Sequence, residues 1–194
     1  MRDARDWTHA ALFGALWGAA EATLGTALKV TQLPLSGLVM AAVGVLCLVT
    51  VRRLRPRIGI CLVAGVVAAF LKVFTLGGVV VGPVVGIVSE AMVVELAMTA
   101  TRSSLVGALV GGALALATTP LQRVISAGLI AGPDAVKALA LASQAVAARI
   151  GLAKLSAGAL LALVIVVTGG AGAAVGAWSW RVAGRVARRL RGSA

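Results

Sequence analysis

Four ionisable side chains interrupt the apolar stretches of this sequence. They are Glu21, Lys72, Glu90 and Glu95, and small or aliphatic residues flank each of them. A charged side chain costs about 2.5–3.5 kcal/mol or more at the centre of a bilayer, so each should face the interior of a helix bundle. The chemistry open to such groups is ligand contact, ion or proton binding, or ion pairing with one another.

The amino-acid composition indicates that the apolar stretches around these four residues lie in a membrane. Of the 194 residues, 60% are hydrophobic and only 12% are charged, and the mean hydropathy is +1.05. A soluble domain of this length cannot cover so much apolar surface. We therefore expect a polytopic membrane protein with a single transmembrane domain over residues 1–194.

Breaks in the apolar pattern predict an all-α bundle of six transmembrane helices. The longer runs reach the roughly 18–20 apolar residues needed to cross a hydrocarbon core of about 30 Å. Pro120 is expected to kink the end of the fifth helix. A more polar segment, residues 134–150, is expected to form a helix on the membrane surface or over a pocket. The predicted transmembrane helices cover residues 8–28, 35–51, 58–75, 83–100, 104–125 and 155–180.

The placement of the basic residues predicts the orientation. Six crossings put twelve of the 18 Lys and Arg residues on the side of both termini, which the positive-inside rule assigns to the cytoplasm. A seventh crossing would move the arginine-rich tail outside. The basic clusters lack the interleaved aromatic residues of a nucleic-acid surface, so we expect a multi-pass protein of the cell membrane that contacts lipid and no nucleic acid. The twelve are Arg2, Arg5, Arg52, Arg53, Arg55, Arg57, Arg102, Arg181, Arg185, Arg188, Arg189 and Arg191.

Depth estimates place three of the buried charges near one another. At about 1.5 Å per residue, Glu21 and Glu90 lie roughly 10 Å below the outer surface and Lys72 about 5 Å below it. These side chains could form the polar floor of an outward-open cavity that binds a substrate. Alternatively, Lys72 pairs with Glu90 as a purely structural contact, and Glu21 bonds to a hydroxyl. Glu95 lies nearer the cytoplasm, where Arg102 or a partner protein is its expected contact.

Small residues form two adjoining stripes on the first predicted helix. Such stripes allow another helix to approach closely. One stripe suffices for packing within the bundle, which leaves the other for a separate subunit. The first stripe is Ala11, Ala15 and Ala19, and the second is Ala10, Gly14, Gly18 and Ala22.

Known catalytic patterns are missing from the sequence. There is no Ser/His/Asp set, no H-E-x-x-H and no Walker loop, so we expect no enzymatic activity and no cofactor. The sole histidine, His9, lies at the cytoplasmic end of the first helix, where it could not serve an outer site, and this disfavours metal capture.

Three segments of the sequence carry a resemblance to a known family. A-L-F-G-A-L-W-G-A-A-E-A-T-L-G (11–25), Q-L-P-L-S-G (32–37) and G-G-V-V-V-G-P-V-V-G-I-V-S-E-A (77–91) look like the S components of energy-coupling factor transporters. The resemblance implies a subunit that captures a vitamin, a vitamin precursor or a metal ion from outside. It also implies partners, namely a coupling membrane subunit and two cytoplasmic ATPases.

The same resemblance implies roles for particular residues. It assigns partner docking to an A-x-x-x-A motif, matched here by Ala11 and Ala15 and continued by Ala19. By analogy, the ligand would contact residues near the outer ends of helices four to six, and the loop between helices one and two would cover it. Few aromatic residues occur in the outer half, which argues against a flat aromatic vitamin. The residues nominated in this way are Gln32, Glu90, Gln122, Arg123 and Gln144.

Two other functions are compatible with the sequence. A self-sufficient secondary transporter or channel could use Glu21 or Glu90 as its ion site, although no clear inverted repeat is present. A ligand-free membrane scaffold is the third possibility. Flux through liposomes that contain this chain alone would single out the transporter or channel, and a small molecule retained on purification would exclude the scaffold.

Overall fold

The structure, a computed structural model, describes residues 3–30, 36–75, 81–149, 151–152 and 154–192. Within these ranges every regular element is a helix, which confirms the all-α prediction. The six helices are α1 (Ala4–Val30), α2 (Ser36–Leu54), α3 (Ile60–Thr75), α4 (Val81–Ala100), α5 (Leu105–Arg149) and α6 (Ala157–Gly192).

Five of these helices are long and apolar enough to cross a membrane, namely all but α3. The apolar part of α3, Ile60–Phe74, is shorter and extends only about 22 Å at 1.5 Å per residue. α3 begins two residues later than predicted, after a turn in which Gly59 adopts a positive φ of 87° that favours glycine. Six crossings and the orientation of the termini therefore remain predictions.

α2 occupies the centre of the bundle. It packs against each of the other five helices, which follow one another around it in the order α1, α3, α4, α5 and α6. Its Val45, Leu48 and Val49 side chains are fully buried in the core. α1 contacts only α2 and α3 among the described helices, so one side of α1 lies on the outside of the bundle.

The glycine stripe of α1 forms its contact with α3. A Cβ atom added at Gly14 would lie 2.7 Å from Val67 Cβ, and one added at Gly18 would lie 2.9 Å from Leu71 Cβ. Real Cβ atoms do not approach other atoms so closely, so glycine is required at both positions. Small residues of this kind allow transmembrane helices to approach to backbone contact.

α5 and α6 are longer than the sequence analysis predicted. The helical geometry of α5 breaks at Gly132, whose φ is 78°, so the kink lies there and Pro120 remains within the helix. The missing N–H and the ring of Pro133 suit this break, because proline cannot continue the preceding helix without distortion. The predicted helix over residues 134–150 is thus the second half of α5, and most of its residues are exposed. α6 continues through the basic tail as far as Gly192.

The two ends of the bundle differ in charge. The start of α1, the α2–α3 turn, the α4–α5 turn and the end of α6 lie together, as contacts of Arg57 with Asp6, Arg52 with Ser103 and Arg53 with Trp180 demonstrate. We call this end the arginine end. The opposite end, where α1 and α3 finish and α2 and α4 begin, is called the cavity end.

Candidate ligand cavity

A partly open cavity of about 310 Å³ lies at the cavity end, between α1, α2, α4 and α5. Small and apolar residues such as Met40, Ala41 and Ile87 form part of its wall. A volume at the lower end of the usual range for ligand pockets, about 300–1,000 Å³, suits a compact molecule. The polar residues that line it are Glu21, Ser36, Glu90, Thr118, Thr119, Gln122, Arg123 and Ser126.

Glu21 and Lys72 form a buried ion pair at the edge of this cavity. Lys72 Nζ lies 2.8 Å from Glu21 Oε2, and it also donates to the carbonyl oxygen of Glu21 at 3.0 Å. Only 1% of the Lys72 side chain and 12% of the Glu21 side chain are exposed. The predicted pairing of Lys72 with Glu90 is therefore wrong, because the long lysine side chain reaches from α3 to α1. Lys72 acts on the cavity through Glu21 and does not line it.

Glu90 is the second carboxylate of the cavity, and one of its oxygens is unsatisfied. The residue is 9% exposed, and Oε1 has no hydrogen-bond partner among the described residues. The carboxyl group lies beside the Val45 backbone and is close enough to Glu21 for their charges to interact. Because Lys72 neutralises Glu21, Glu90 leaves an uncompensated acceptor in a cavity with apolar walls. A buried acceptor of this kind is costly unless it gains a donor.

Gly44 of α2 creates the space that Glu90 occupies. A Cβ atom at this position would overlap Glu90 Oε1 and would lie 2.6 Å from Cζ2 of Trp17. Trp17 is itself fully buried, and its indole nitrogen has no hydrogen-bond partner among the residues described. The floor of the cavity therefore brings an acidic side chain and an aromatic ring against the same glycine.

Gln122 and Arg123 of α5 complete the cavity on the side of α4. The Gln122 amide nitrogen donates to the Gly82 carbonyl oxygen at 3.2 Å. It lies against Gly86, where a Cβ atom would come within 2.7 Å of the same nitrogen. Arg123 is exposed, so its guanidinium lies at the rim. The sequence-nominated Glu21, Glu90, Gln122 and Arg123 are thus brought together in one cavity.

Two further residues were nominated for the site, Gln144 and Gln32. Gln144 is exposed on the second half of α5 and does not line the cavity, because the break at Gly132 separates the two halves of the helix. Gln32 lies outside the described residues. Among the described residues, no group of three or more His, Cys, Asp and Glu side chains is placed to hold a metal ion.

The alanine stripe of α1 lies on its outer side. Ala11, Ala15 and Ala19 are exposed, whereas Gly14 and Gly18 are buried against α3. Leu12 and Leu16 beside them are also more than half exposed. The two stripes therefore face different surroundings: the glycines pack within the bundle, and the alanines face outward together with apolar side chains.

A second buried ion pair at the arginine end was not predicted. Arg52 Nη1 lies 3.0 Å from Glu95 Oε1, and the two side chains are 3% and 6% exposed. Glu95 also accepts the backbone N–H groups of Gly59 and Cys61 at 2.8 and 2.9 Å. The expected partner of Glu95, Arg102, is replaced by Arg52, because Arg52 lies at the end of the central helix.

Taken together, these features define a class of protein. The described part of the chain is all-helical and contains five helices of membrane-spanning length. Within the bundle Glu21, Lys72 and Glu95 are ion-paired and Glu90 lines a cavity, and these features define a polytopic membrane protein. No family model, curated protein or solved structure matches the chain.

Proposed function

We propose that this protein is the substrate-capturing membrane subunit of an ATP-driven importer for a vitamin or vitamin precursor. The observation that carries the proposal is the cavity of about 310 Å³, which contains a buried carboxylate oxygen with no partner among the described residues. The cavity offers a hydrogen-bond acceptor that has no described partner, and its described lining contains no recognised set of catalytic residues. Such a site suits a protein that binds its ligand without changing it chemically. The resemblance to S components supports the same reading.

The charge distribution supports capture from outside the cell. Basic residues concentrate at the arginine end, which the positive-inside rule places in the cytoplasm. The cavity end would then face the exterior, and the cavity mouth with Arg123 would open outward.

The cavity also favours a ligand chemistry. Glu90 Oε1 requires a donor, so the ligand should carry an N–H group or a protonated nitrogen that reaches the floor. Met40 and Ile87 favour an apolar body for the ligand, and the small volume favours a compact one. We therefore propose a compact, nitrogen-bearing micronutrient.

The outer face of α1 supports docking on a coupling subunit. Ala11, Ala15 and Ala19 form an exposed stripe of small residues, on a helix that contacts only two others among the described helices. A partner helix could approach this stripe to backbone distance. The energy for transport would come from partner ATPases, since this chain has no nucleotide-binding loop.

Mass spectrometry of small molecules retained by the gently purified protein tests the capture function. We expect one compact nitrogenous compound in the wild type and at least tenfold less of it in Glu90→Gln. The variant should be as thermally stable as the wild type or more so, because it keeps the shape of the side chain and replaces a buried carboxyl group whose Oε1 has no partner among the described residues. A Glu90→Gln protein that loses stability yet keeps its ligand would show that the acid is structural.

Partner docking is tested with Ala15→Leu. We expect this variant to recover far less of the coupling subunit and ATPases from native membranes, while it retains the small molecule as the wild type does. The matched control is Ala142→Leu, which adds the same bulk at an exposed alanine of α5 and should leave recovery unchanged. Equal losses in the two variants would contradict docking through the α1 stripe.

Two carboxylates in one cavity are also an arrangement that a proton-coupled carrier could use, which makes such a carrier the second candidate. Liposomes that contain only this protein separate the two functions. A capture subunit gives no net uptake under an imposed proton gradient, whereas a carrier gives uptake that Glu90→Gln abolishes. Uptake by the isolated chain would overturn the importer-subunit proposal, and a protein with neither uptake nor retained ligand would fit a scaffold.

A further inference from the structure

A second pocket lies at the arginine end, between α2 and α6. It has a volume of about 360 Å³, and its lining contains four arginines: Arg53, Arg181, Arg185 and Arg188. The three arginines of α6 are spaced by four and three residues, which places them on one face of the helix. Trp180 and Gly184 complete the lining.

Arg53 is held in a fixed position in this pocket. Its guanidinium stacks over the Trp180 ring, 3.9 Å from the ring centroid, and donates to the Trp180 carbonyl oxygen. Gly184 leaves room for it, since a Cβ atom there would lie 2.8 Å from both terminal nitrogens of Arg53. Stacking of this kind is favourable for the planar guanidinium. The arrangement preorganises one arginine beside three others.

This pocket has an excess of positive charge. None of the four arginines forms an ion pair with an acid in the described part of the chain. Arg188 is close enough to Arg53 for the two charges to repel each other. Such a cluster is stabilised when an anion neutralises it, and arginine binds phosphate oxygens through two parallel hydrogen bonds.

The depth of the pocket identifies the source of the anion. Trp178 is 53% exposed and precedes Trp180 by two residues, and tryptophans at a helix end mark the boundary between hydrocarbon and headgroups. Arg181 and Arg185 follow Trp180 by about 1.5 and 7.5 Å along the helix. The headgroup layer is about 5–7.5 Å thick on each side, so Arg181 lies within it and Arg185 lies at its outer edge.

We propose that this pocket binds the phosphodiester headgroup of an anionic phospholipid, with Arg53 and Arg185 as its main contacts. The lipid chains would lie along the apolar surface below Trp178. Basic pockets between transmembrane helices on the cytoplasmic side bind such headgroups in other membrane proteins. The site is separate from the ligand cavity and does not depend on the importer proposal.

Lipid titrations followed by native mass spectrometry of the detergent-solubilised protein test this site. The probes are phosphatidylglycerol, zwitterionic phosphatidylcholine and inorganic phosphate. We expect the wild type to bind phosphatidylglycerol at least tenfold more tightly than phosphatidylcholine. An excess of inorganic phosphate should not displace the lipid, because the acyl chains add to its affinity. Displacement by phosphate at comparable concentration would overturn the lipid assignment in favour of a soluble phosphate site.

Three variants separate a built site from diffuse attraction. An arginine that contacts the headgroup phosphate directly should contribute about a factor of five, so Arg53→Gln with Arg185→Gln should weaken phosphatidylglycerol binding about thirtyfold. The matched control, Arg5→Gln with Arg55→Gln, removes two charges from the same end outside the pocket. It should cause less than a threefold change. Gly184→Ala keeps every charge but displaces the Arg53 guanidinium, and it should weaken binding about fivefold.

Melting temperatures and binding constants together decide the outcome. The arginine variants should melt within a few degrees of the wild type, because the altered arginines have no ion-pair partner among the described residues. Gly184→Ala should do the same, because the atoms nearest to its added Cβ belong to the flexible end of the Arg53 side chain. Equal losses in the pocket and control double variants would show that net charge alone attracts the lipid. Absence of any preference for phosphatidylglycerol in the wild type would also refute the site.

Discussion

The buried pair of Glu21 and Lys72 allows a quantitative test of the structure. Glu21→Gln keeps the shape of the side chain but removes the Glu21 charge from the Lys72 ammonium, which is 1% exposed. Removing one partner of a buried ion pair costs about 3–5 kcal/mol. We expect a loss of about 3 kcal/mol, at the lower end of that range, because the Glu21 side chain remains 12% exposed and Lys72 keeps the Glu21 carbonyl oxygen.

The free energy of unfolding is to be measured by reversible titration with a denaturing detergent in mixed micelles. A loss of about 3 kcal/mol corresponds to roughly a 150-fold change in the unfolding constant. The double variant Glu21→Gln with Lys72→Met should recover most of this loss, because replacing a buried ion pair by uncharged groups of similar volume is often neutral. The double-mutant cycle then isolates the coupling between the two residues.

An exposed ion pair in the same protein provides the control. Lys137 Nζ lies 3.1 Å from Asp134 Oδ1, and the two side chains are 74% and 90% exposed. Exposed pairs contribute about 0–1 kcal/mol, so Asp134→Asn should change stability by no more than that. If Glu21→Gln costs as little as Asp134→Asn, the buried-pair reasoning is wrong.

Three further predictions concern the packing and the second ion pair. Arg52→Met should lower the free energy of unfolding by about 3 kcal/mol, measured in the same titration, because it leaves buried Glu95 without its countercharge; a change under 1 kcal/mol would contradict this role. Gly112→Ala should lower the free energy of unfolding by about 1–3 kcal/mol, because its Cβ would lie 3.1 Å from the backbone of Gly176 on α6. The control Gly170→Ala places its Cβ in open space and should be neutral or stabilising by up to about 1 kcal/mol. Equal effects of the two substitutions would refute close packing of α5 on α6. Gly44→Ala should displace Glu90 and Trp17 and so reduce ligand retention by at least tenfold; unchanged retention would show that Glu90 does not hold the ligand.

Counting residues along the predicted helices placed the two acids of the cavity at the same depth. Glu21 and Glu90 lie seven residues from the predicted outer ends of their helices, and they line the same cavity. The depth of a side chain in the membrane can be estimated by counting residues along its helix, so it can be predicted from the sequence alone. The spacing of Gly14 and Gly18 likewise identified a close helix contact, since small residues four apart share one face.

The pairing of the charges could not be predicted in the same way. Lys72 contacts Glu21 rather than Glu90, and Glu95 contacts Arg52 rather than Arg102. These choices depend on how each helix is rotated about its axis and on which helix is central. A single sequence constrains neither, because all six helices are apolar on most sides.

Local sequence patterns did not predict the length of α5 or the position of its break. Pro120 was predicted to kink the helix, yet the break lies at Gly132. Proline in a transmembrane helix is tolerated when neighbouring groups satisfy the freed backbone. At Gly132 the following Pro133 removes a further N–H, and glycine permits the positive φ. Gln144, which the family resemblance nominated for the site, lies beyond this break on the exposed second half of α5.

The uninterrupted helix of α6 has a consequence for experiments on motion. Beyond Trp180 it continues for twelve residues to Gly192, or about 18 Å. If the bundle tilts by about 20°, an angle common for membrane helices, the tip of this rod sweeps about 6 Å sideways relative to its base. A distance probe attached at this tip would therefore report a rotation of the bundle within the bilayer, because the rotation moves the probe sideways in the aqueous phase.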